Sequence, residues 1–251
     1  MRVAIVDIGS NSTRLLVAEV RADGSITELE RTSTVTRLGQ GVDASGALAP
    51  EAMQRVFDTL AGYREAIDRH AATATMAVLT SAVRDATNGP EFSARVRDDF
   101  GLDARTLSGD EEAQLSFLGA TSSRAPDAPA PVVVIDIGGG STEFVVGAAG
   151  AVAFHVSTQA GSVRHGERHV HSDPPTAEEL SAAAQDIREV YAAGVPASVR
   201  SSVSAGVAVA GTATQLAAID QALEPYDPER VHGYRLDRAA VERMLAQLAQ
   251  L

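Results

Sequence analysis

Two short apolar runs, one near the start of the chain and one past its middle, are followed by very similar patterns. Residues 3–6 lead into Asp7 and a turn of small polar residues, and residues 132–135 lead into Asp136 and a glycine-rich turn. Asp136 follows Asp7 by 129 residues, and a second apolar run comes after each turn. Each copy therefore predicts a buried strand, a tight turn and a returning strand.

A second pair of similar segments supports an internal duplication. The apolar residues 76–79 precede Thr80 and Ser81, and the apolar residues 207–210 precede Gly211 and Thr212, which lie 131 residues further along. Two strand-and-turn pairs in nearly the same register predict two similar α/β halves. The proline-rich segment 121–131 is the natural boundary, so we expect domains at residues 1–125 and 126–251.

Helical spacing and capping signals predict helices in the segments between these strands. Apolar residues recur at three- and four-residue spacing after Pro50, and Gly101 is typical of the end of a helix that begins near residue 91. Capping-box spacing predicts where two further helices begin, and an amphipathic segment near the end of the sequence predicts one more. The capping pairs are Ser108 with Glu111 and Thr176 with Glu179, and the last segment begins at Asp237.

Composition narrows the range of functions. The formal net charge of −12 argues against nucleic acid or a membrane surface as a partner, since both attract extended cationic surfaces. The sequence contains no lysine, which excludes a Walker A loop, and no cysteine, which excludes thiolate metal sites. The first apolar run is too short for a signal peptide or a membrane span, so we expect a cytoplasmic protein.

The two turns carry the most informative candidate chemistry. Asp7 and Asp136 end predicted strands, where carboxylates can hold a hard cation such as Mg²⁺ that bridges to phosphate. The dinucleotide fingerprint would require glycine where Glu143 stands, so that interpretation fails. A phosphate cradle fits better, because small residues let backbone N–H groups converge on an anion. The cradle comprises Gly138, Gly139, Gly140, Ser141 and Thr142.

Charged side chains near the turns leave alternatives open. Glu112 follows the capping Glu111 by one residue and could accept a proton from an attacking water, or could be an ordinary first-turn residue. Arg84 could clamp a phosphate or form a surface ion pair. The basic run that includes Arg164, His165 and His169 could be a solvated face, and its spacing does not match H-E-x-x-H.

Five motifs in this order resemble the exopolyphosphatase / guanosine pentaphosphate phosphohydrolase (Ppx/GppA) family of the actin and sugar-kinase superfamily. The resemblance implies two actin-like (ribonuclease H-like) α/β domains flanking an interdomain cleft, and Mg²⁺-dependent hydrolysis of a terminal phosphoanhydride. The motifs lie at residues 3–13, 80–88, 108–113, 136–143 and 211–214.

The resemblance also implies roles for individual residues. Glu112 would be the general base, Glu143 would orient water or metal beside it, and Asp7 and Asp136 would belong to the metal site. The phosphate-binding set would comprise Ser10, Asn11, Ser12, Arg84, the 138–142 turn, Arg164, Gly211 and Thr212. Arg168 would also contact the polyanion.

The substrate implied is inorganic polyphosphate, with guanosine penta- or tetraphosphate as the alternative. A kinase of the same superfamily and a non-catalytic polyphosphate or alarmone sensor are the other functional classes. Family members usually continue past a helix like the one after Asp237, so we expect the family's C-terminal segment to be absent here. The oligomeric state is open, with a homodimer as the candidate.

Overall fold

A computed structural model describes residues 1–122, 124, 125, 128, 130–148 and 150–250. The chain divides into two compact units, Met1–Glu112 and Ala113–Leu251. The predicted domain boundary after residue 125 lies in the proline-rich segment, of which Pro126 and Pro129 are outside the described residues. The division between the compact units lies earlier, within a helix.

The first unit is a five-stranded sheet with helices that cover it. Its strand order is β3-β2-β1-β4-β5, with β1–β2 and β2–β3 antiparallel and β1–β4 and β4–β5 parallel. The elements are β1 (Arg2–Ile8), β2 (Ser12–Val20), β3 (Ile26–Val35), α1 (Val42–Ser45), α2 (Pro50–Arg69), β4 (Ala74–Leu79), α3 (Ser81–Asp85), α4 (Gly89–Phe100) and β5 (Asp103–Thr106). Helix α5 (Gly109–Thr121) begins in this unit and continues into the second.

The period-two pattern of β1 explains how the first unit folds. Ala4, Val6 and Ile8 are buried on one face of the strand, where they join the cluster that includes Val56 and Leu60 of α2. Burial of this apolar surface is the main force that fixes the helix on the sheet. The same packing determines which β1 residues, Asp7 among them, face away from that core.

The second unit repeats the arrangement with four strands in the order β8-β7-β6-β9. Strands β6–β7 and β7–β8 are antiparallel, and β6–β9 is parallel. The elements are β6 (Val132–Ile137), β7 (Thr142–Ala148), β8 (Ala151–Thr158), α6 (Ser162–His169), α7 (Ala177–Gly194), α8 (Ala197–Ser202), β9 (Ala205–Val209), α9 (Ala210–Asp220), α10 (Pro228–Val231) and α11 (Arg238–Leu248). Its sheet packs against Ala113 and Phe117 of α5.

The α/β class and the two antiparallel starts are confirmed. The order β3-β2-β1-β4 of the first sheet corresponds strand by strand to β8-β7-β6-β9 of the second. One predicted strand end is wrong: Ala210 has a positive φ of 66° and begins α9 instead of extending β9. Within the described part of the chain, every helix is too short or too polar to cross a membrane.

Candidate functional site

The two hairpin turns close with the same backbone hydrogen bond. The amide of Gly9 donates to the carbonyl of Ser12 over 3.0 Å, and the amide of Gly138 donates to the carbonyl of Ser141 over 3.0 Å. Both members of the second pair follow their counterparts by 129 residues. The duplication that the sequence predicts therefore extends to the conformation of the turns.

Side chains and backbone groups fix the first turn in place. The hydroxyl of Ser10 lies 3.0 Å from that of Ser81 at the start of α3, and both are buried. The carbonyl of Asn11 accepts from the amide of Thr36 over 3.0 Å, and Ser12 begins β2. The three predicted phosphate ligands of this turn thus lie on one short, well-anchored loop.

Asp7 forms an ion pair within the first hairpin. It lies opposite Arg14 in the register of β1 and β2, and Nη1 of Arg14 donates to its Oδ2 over 3.1 Å. The Asp7 side chain is 34% exposed, yet burial of its carboxyl group raises its pKa and Arg14 only partly opposes this. A metal at Asp7 would have to compete with the guanidinium.

Two carboxylates occupy the equivalent positions of the second hairpin. Asp136 lies opposite Glu143 in the register of β6 and β7. The hydroxyl of Ser116 donates to Oδ2 of Asp136 over 3.1 Å, and that of Ser157 donates to Oε1 of Glu143 over 2.7 Å. Glu143 is only 2% exposed. The second hairpin therefore concentrates negative charge where the first hairpin has an ion pair.

This carboxylate pair fits a hard divalent cation. Side chains directly opposite in an antiparallel pair lie on the same face, with Cβ atoms roughly 5 Å apart, and like charges there destabilise the sheet. A cation between them removes that repulsion, and Mg²⁺ prefers oxygen ligands supplied by one or two carboxylates. Asp136 and Glu143 are the residues that would hold it.

Helix α6 fixes the glycine-rich turn. The amide of Ser162 donates to the carbonyl of Gly138 over 3.0 Å, and the amide of Val163 donates to that of Gly139 over 2.9 Å. A Cβ atom on Gly161 would collide with the Gly139 carbonyl, so only glycine permits this close approach. The start of α6 and the turn therefore form one rigid unit.

Two predicted phosphate ligands of this region make structural bonds. Nε of Arg164 donates to the carbonyl of Gly140 over 2.7 Å. The fully buried hydroxyl of Thr142 donates to the carbonyl of Ala160 over 2.5 Å and accepts from Tyr191 over 3.0 Å. These side chains support the turn, and contact with a phosphate stays a prediction for both.

Gly211 and Thr212 lie in the first turn of α9, directly after β9. The parallel pairing of β6 with β9 aligns Val209 with Asp136, so this helix begins beside the carboxylate-bearing strand end. A Cβ atom on Gly211 would meet open space. The N-terminal amides of an α-helix attract anions, which agrees with the predicted role of this turn.

Arg84 and Glu112 form an ion pair in the first unit. Nη1 of Arg84 donates to Oε2 of Glu112 over 3.0 Å and to the carbonyl of Leu107 over 3.0 Å. The side chains are 23% and 15% exposed, so both are largely shielded from solvent. The predicted phosphate clamp and the predicted base are thus direct neighbours.

Glu112 is one of three acidic residues in the first turn of α5, and its contacts differ from those of its neighbour Glu111. Glu111 makes the predicted capping box, in which its Oε2 accepts from the Ser108 amide over 3.0 Å and its own amide donates to the Ser108 hydroxyl. Its pKa is lowered chiefly by the Ser108 amide. Glu112 lies one helical turn before Ser116, which binds Asp136.

The basic run contains a cluster that was only half predicted. Nε2 of His169 lies 2.8 Å and Nε2 of His165 lies 3.5 Å from Oδ2 of Asp186, which also accepts from Arg168 over 3.2 Å. The solvated-face interpretation is wrong for His165, which is 3% exposed, and burial lowers the pKa of its imidazole. These two histidines and Asp186 could hold a metal ion.

Sequence reasoning missed four partners of the predicted site residues. Arg14 was detectable, because it aligns with Glu143 when the hairpins are superposed by their offset. Ser116, Ser157 and Asp186 left no such signal, since each is brought to its partner by folding over 14 residues or more. Only the tertiary structure places them.

Comparison with known proteins shows which family this chain resembles in sequence. Residues 16–251 match the model of the Ppx/GppA phosphatase family. Exopolyphosphatase 2 of Mycobacterium tuberculosis is 41% identical over 246 residues, which are 95% of this chain and 76% of that protein. The match therefore includes almost all of both units.

Solved structures show the same relationship. The crystal structure of an exopolyphosphatase-like protein is 35% identical, with a TM-score of 0.90 over 100% of this chain and 79% of that one. The Ppx/GppA enzyme of Aquifex aeolicus is 31% identical, with a TM-score of 0.80 over 100% and 81% of the two chains. Because the family model covers most of the chain and the relatives align over both units, this chain belongs to the Ppx/GppA phosphatase family.

Proposed function

We propose that this protein is an exopolyphosphatase, which releases the terminal phosphate of inorganic polyphosphate by metal-assisted attack of water. The observation that carries the proposal is the cross-strand pair of Asp136 and the buried Glu143, an oxygen donor set suited to a divalent cation. The family and the M. tuberculosis relative named exopolyphosphatase 2 support it independently.

Polyphosphate binding rests on groups that suit a chain of phosphates. Small residues in the two turns let backbone N–H groups approach an anion closely, and the first turn of α9 offers backbone amides. Arg84 supplies a guanidinium, which binds phosphate with two parallel hydrogen bonds. The proposed contacts are Ser10, Asn11, Ser12, Arg84, residues 138–142, Arg164, Gly211 and Thr212.

The cation proposed at Asp136 and Glu143 is Mg²⁺. When bound, it would neutralise charge on the phosphoryl oxygens, which is a main requirement of phosphoryl transfer. Ser116 and Ser157 donate to one oxygen of each carboxylate and thereby fix both side chains. Asp7 is proposed as a weaker member of the metal site, because Arg14 already binds it.

Glu112 is proposed as the general base. The carboxylate takes a proton from water while the water oxygen bonds to the terminal phosphorus and the bridging P–O bond breaks. The products are orthophosphate and a chain shortened by one unit. Arg84 would exchange its bond to Glu112 for a bond to phosphate when substrate binds, which removes one hydrogen-bond donor from the carboxylate that accepts the proton.

Guanosine pentaphosphate is the alternative substrate, because it presents a similar polyanionic tail and the family includes enzymes of both kinds. The cytoplasmic location is likewise a proposal, which the absence of cysteine supports. A homodimer is proposed as the assembly to test first.

Phosphate release tests the proposed function. Purified protein is incubated with polyphosphate or guanosine pentaphosphate, each with and without Mg²⁺ and without any phosphate acceptor. Faster release from polyphosphate that requires Mg²⁺ is expected. Transfer of the terminal phosphate to an added acceptor, without release of orthophosphate, would identify a kinase. Thermal stabilisation by polyphosphate without release would identify a sensor, and either result overturns the proposal.

A further inference from the structure

We propose that His165, His169 and Asp186 form a second metal site, selective for a transition-metal ion of the Zn²⁺ class, which joins α6 to α7. The site is separate from the carboxylates proposed for Mg²⁺ and does not depend on the proposed function. One ligand atom from each of the three residues lies within 4.8 Å of the other two. Imidazole nitrogens with one carboxylate are a donor set that suits Zn²⁺ far better than Mg²⁺.

The spacing of the ligand atoms is close to that of a tetrahedral site. Zn–N and Zn–O bonds of about 2.0–2.1 Å place adjacent ligands about 3.3 Å apart. Oδ2 of Asp186 lies 2.8 Å from Nε2 of His169 and 3.5 Å from Nε2 of His165. Both separations from Asp186 are therefore within about half an ångström of the tetrahedral value. His165 and His169 are four residues apart on α6, so they project from the same face of that helix.

The environment of His165 is an independent sign of a missing ligand. The side chain is buried, at 3% exposure for the residue, and neither ring nitrogen has a hydrogen-bond partner. A buried polar group without a partner destabilises the fold. A metal ion at Nε2 would satisfy the nitrogen that faces Asp186.

Arg168 is the main electrostatic objection, since its Nη1 lies 3.2 Å from the same Asp186 oxygen. The carboxylate has a second oxygen, to which the guanidinium can donate while the first binds a metal. Carboxylate ligands of metals are commonly held by such outer hydrogen bonds. The arginine is therefore compatible with the site and would orient Asp186 within it.

The position of the site indicates what it does. Ser162 and Val163, at the start of the same short helix, bind the glycine-rich turn through their amides. His165 follows them by one turn, and Asp186 belongs to α7, which lies against α6. A metal between the two helices would hold α6, and with it the turn, in a fixed position.

Titration with Co²⁺ tests this inference on the full chain, purified without a histidine tag and with excess Mg²⁺ present. We expect visible d–d absorption bands of a four-coordinate site, their loss on addition of Zn²⁺, and a Zn²⁺-dependent rise in the thermal unfolding midpoint. His169→Ala and Asp186→Asn should each weaken Co²⁺ binding by about 10²-fold or more, since loss of an outer-shell partner alone costs about 10–100-fold.

His171→Ala is the matched control, because this exposed histidine lies two residues beyond His169 and outside the cluster. It should bind Co²⁺ as the unaltered protein does, and so should Asp136→Asn, which separates this site from the proposed Mg²⁺ site. Absence of Co²⁺ and Zn²⁺ binding by the unaltered, folded protein would overturn the inference. Equal loss of binding in His171→Ala or in Asp136→Asn would also overturn it.

Discussion

Asp136 lies directly opposite Glu143 across the second hairpin, at the positions where the first hairpin pairs Asp7 with Arg14. The same duplicated scaffold therefore carries an acidic pair in one copy and an ion pair in the other. In the first copy Arg14 places a positive charge opposite the aspartate, whereas the second copy has a second carboxylate at that position. This difference supports the proposal that the second hairpin carries the main metal ligands.

Neutralising the acidic pair should change the response to Mg²⁺. Asp136→Asn and Glu143→Gln are expected to raise the Mg²⁺ concentration for half-maximal phosphate release at least ~10-fold, because each removes a charged ligand. Asp7→Asn should have a smaller effect, since Arg14 already neutralises that carboxylate. Initial rates of phosphate release at a series of Mg²⁺ concentrations measure the half-maximal concentration for each variant. The assignment is wrong if the two second-hairpin variants keep the unaltered Mg²⁺ dependence.

Glu112→Gln should keep the fold and polyphosphate binding but lower turnover by about 10²–10⁴-fold, the usual contribution of a general base. Glu111→Gln is the matched control on the same turn of α5, because glutamine can also complete a capping box. The two variants are compared by their turnover rates at saturating polyphosphate, and their affinity for polyphosphate is measured separately. A variant at residue 112 with near-normal turnover would remove Glu112 from this role.

Arg84→Gln should raise the KM for polyphosphate by about 10–100-fold, the range expected when a charge-assisted hydrogen bond to an anion is lost. Arg64→Gln serves as the control, because Arg64 is an exposed arginine that pairs with Asp68 on α2. Its KM should stay unchanged. If both substitutions raise the KM equally, Arg84 acts through the overall charge of the protein and not through a specific contact with phosphate.

Acid should weaken the capping box of α7. The amides of Thr176 and His171 hold the pKa of Glu179 below its usual range. The stability that Glu179 contributes is therefore fully present above the ordinary pKa of the carboxyl group and is lost as the pH falls through the lowered value. Glu179→Gln should show a smaller drop in thermal midpoint than the unaltered protein between about pH 6 and pH 3.

Glu178→Gln, at the neighbouring exposed position, is the control for that series. It should lose as much stability in acid as the unaltered protein. If the thermal midpoint of the Glu179→Gln variant falls as much as that of the unaltered protein across this pH range, the capping carboxylate does not carry the expected pH dependence.

Local signals predicted much of the fold and part of the site. The repeat of strand, turn and strand around Asp7 and Asp136 predicted the antiparallel start of both sheets, because period-two burial and turn chemistry are encoded by neighbouring residues. Capping boxes located α5 and α7 for the same reason. Helix α6 was missed, since Val163 is the one large apolar residue in its sequence, although His165 is buried within it.

The partners that tune the site depend on long-range folding. Ser116 reaches Asp136 from a helix 20 residues earlier in the chain, and Asp186 reaches His169 from 17 residues later. No periodicity or spacing rule connects such pairs in a single sequence. Candidate site residues could therefore be named from the sequence, whereas the hydrogen bonds that orient them could not.

Hydrolysis of polyphosphate in ¹⁸O-enriched water is the most direct test of metal-assisted water attack at the terminal phosphorus. With Mg²⁺ present, about one ¹⁸O atom should enter each released orthophosphate and none should enter the remaining chain, because the water oxygen bonds to the departing phosphorus. Label in the shortened polyphosphate, or no release of phosphate by the folded, Mg²⁺-loaded protein, would contradict the account.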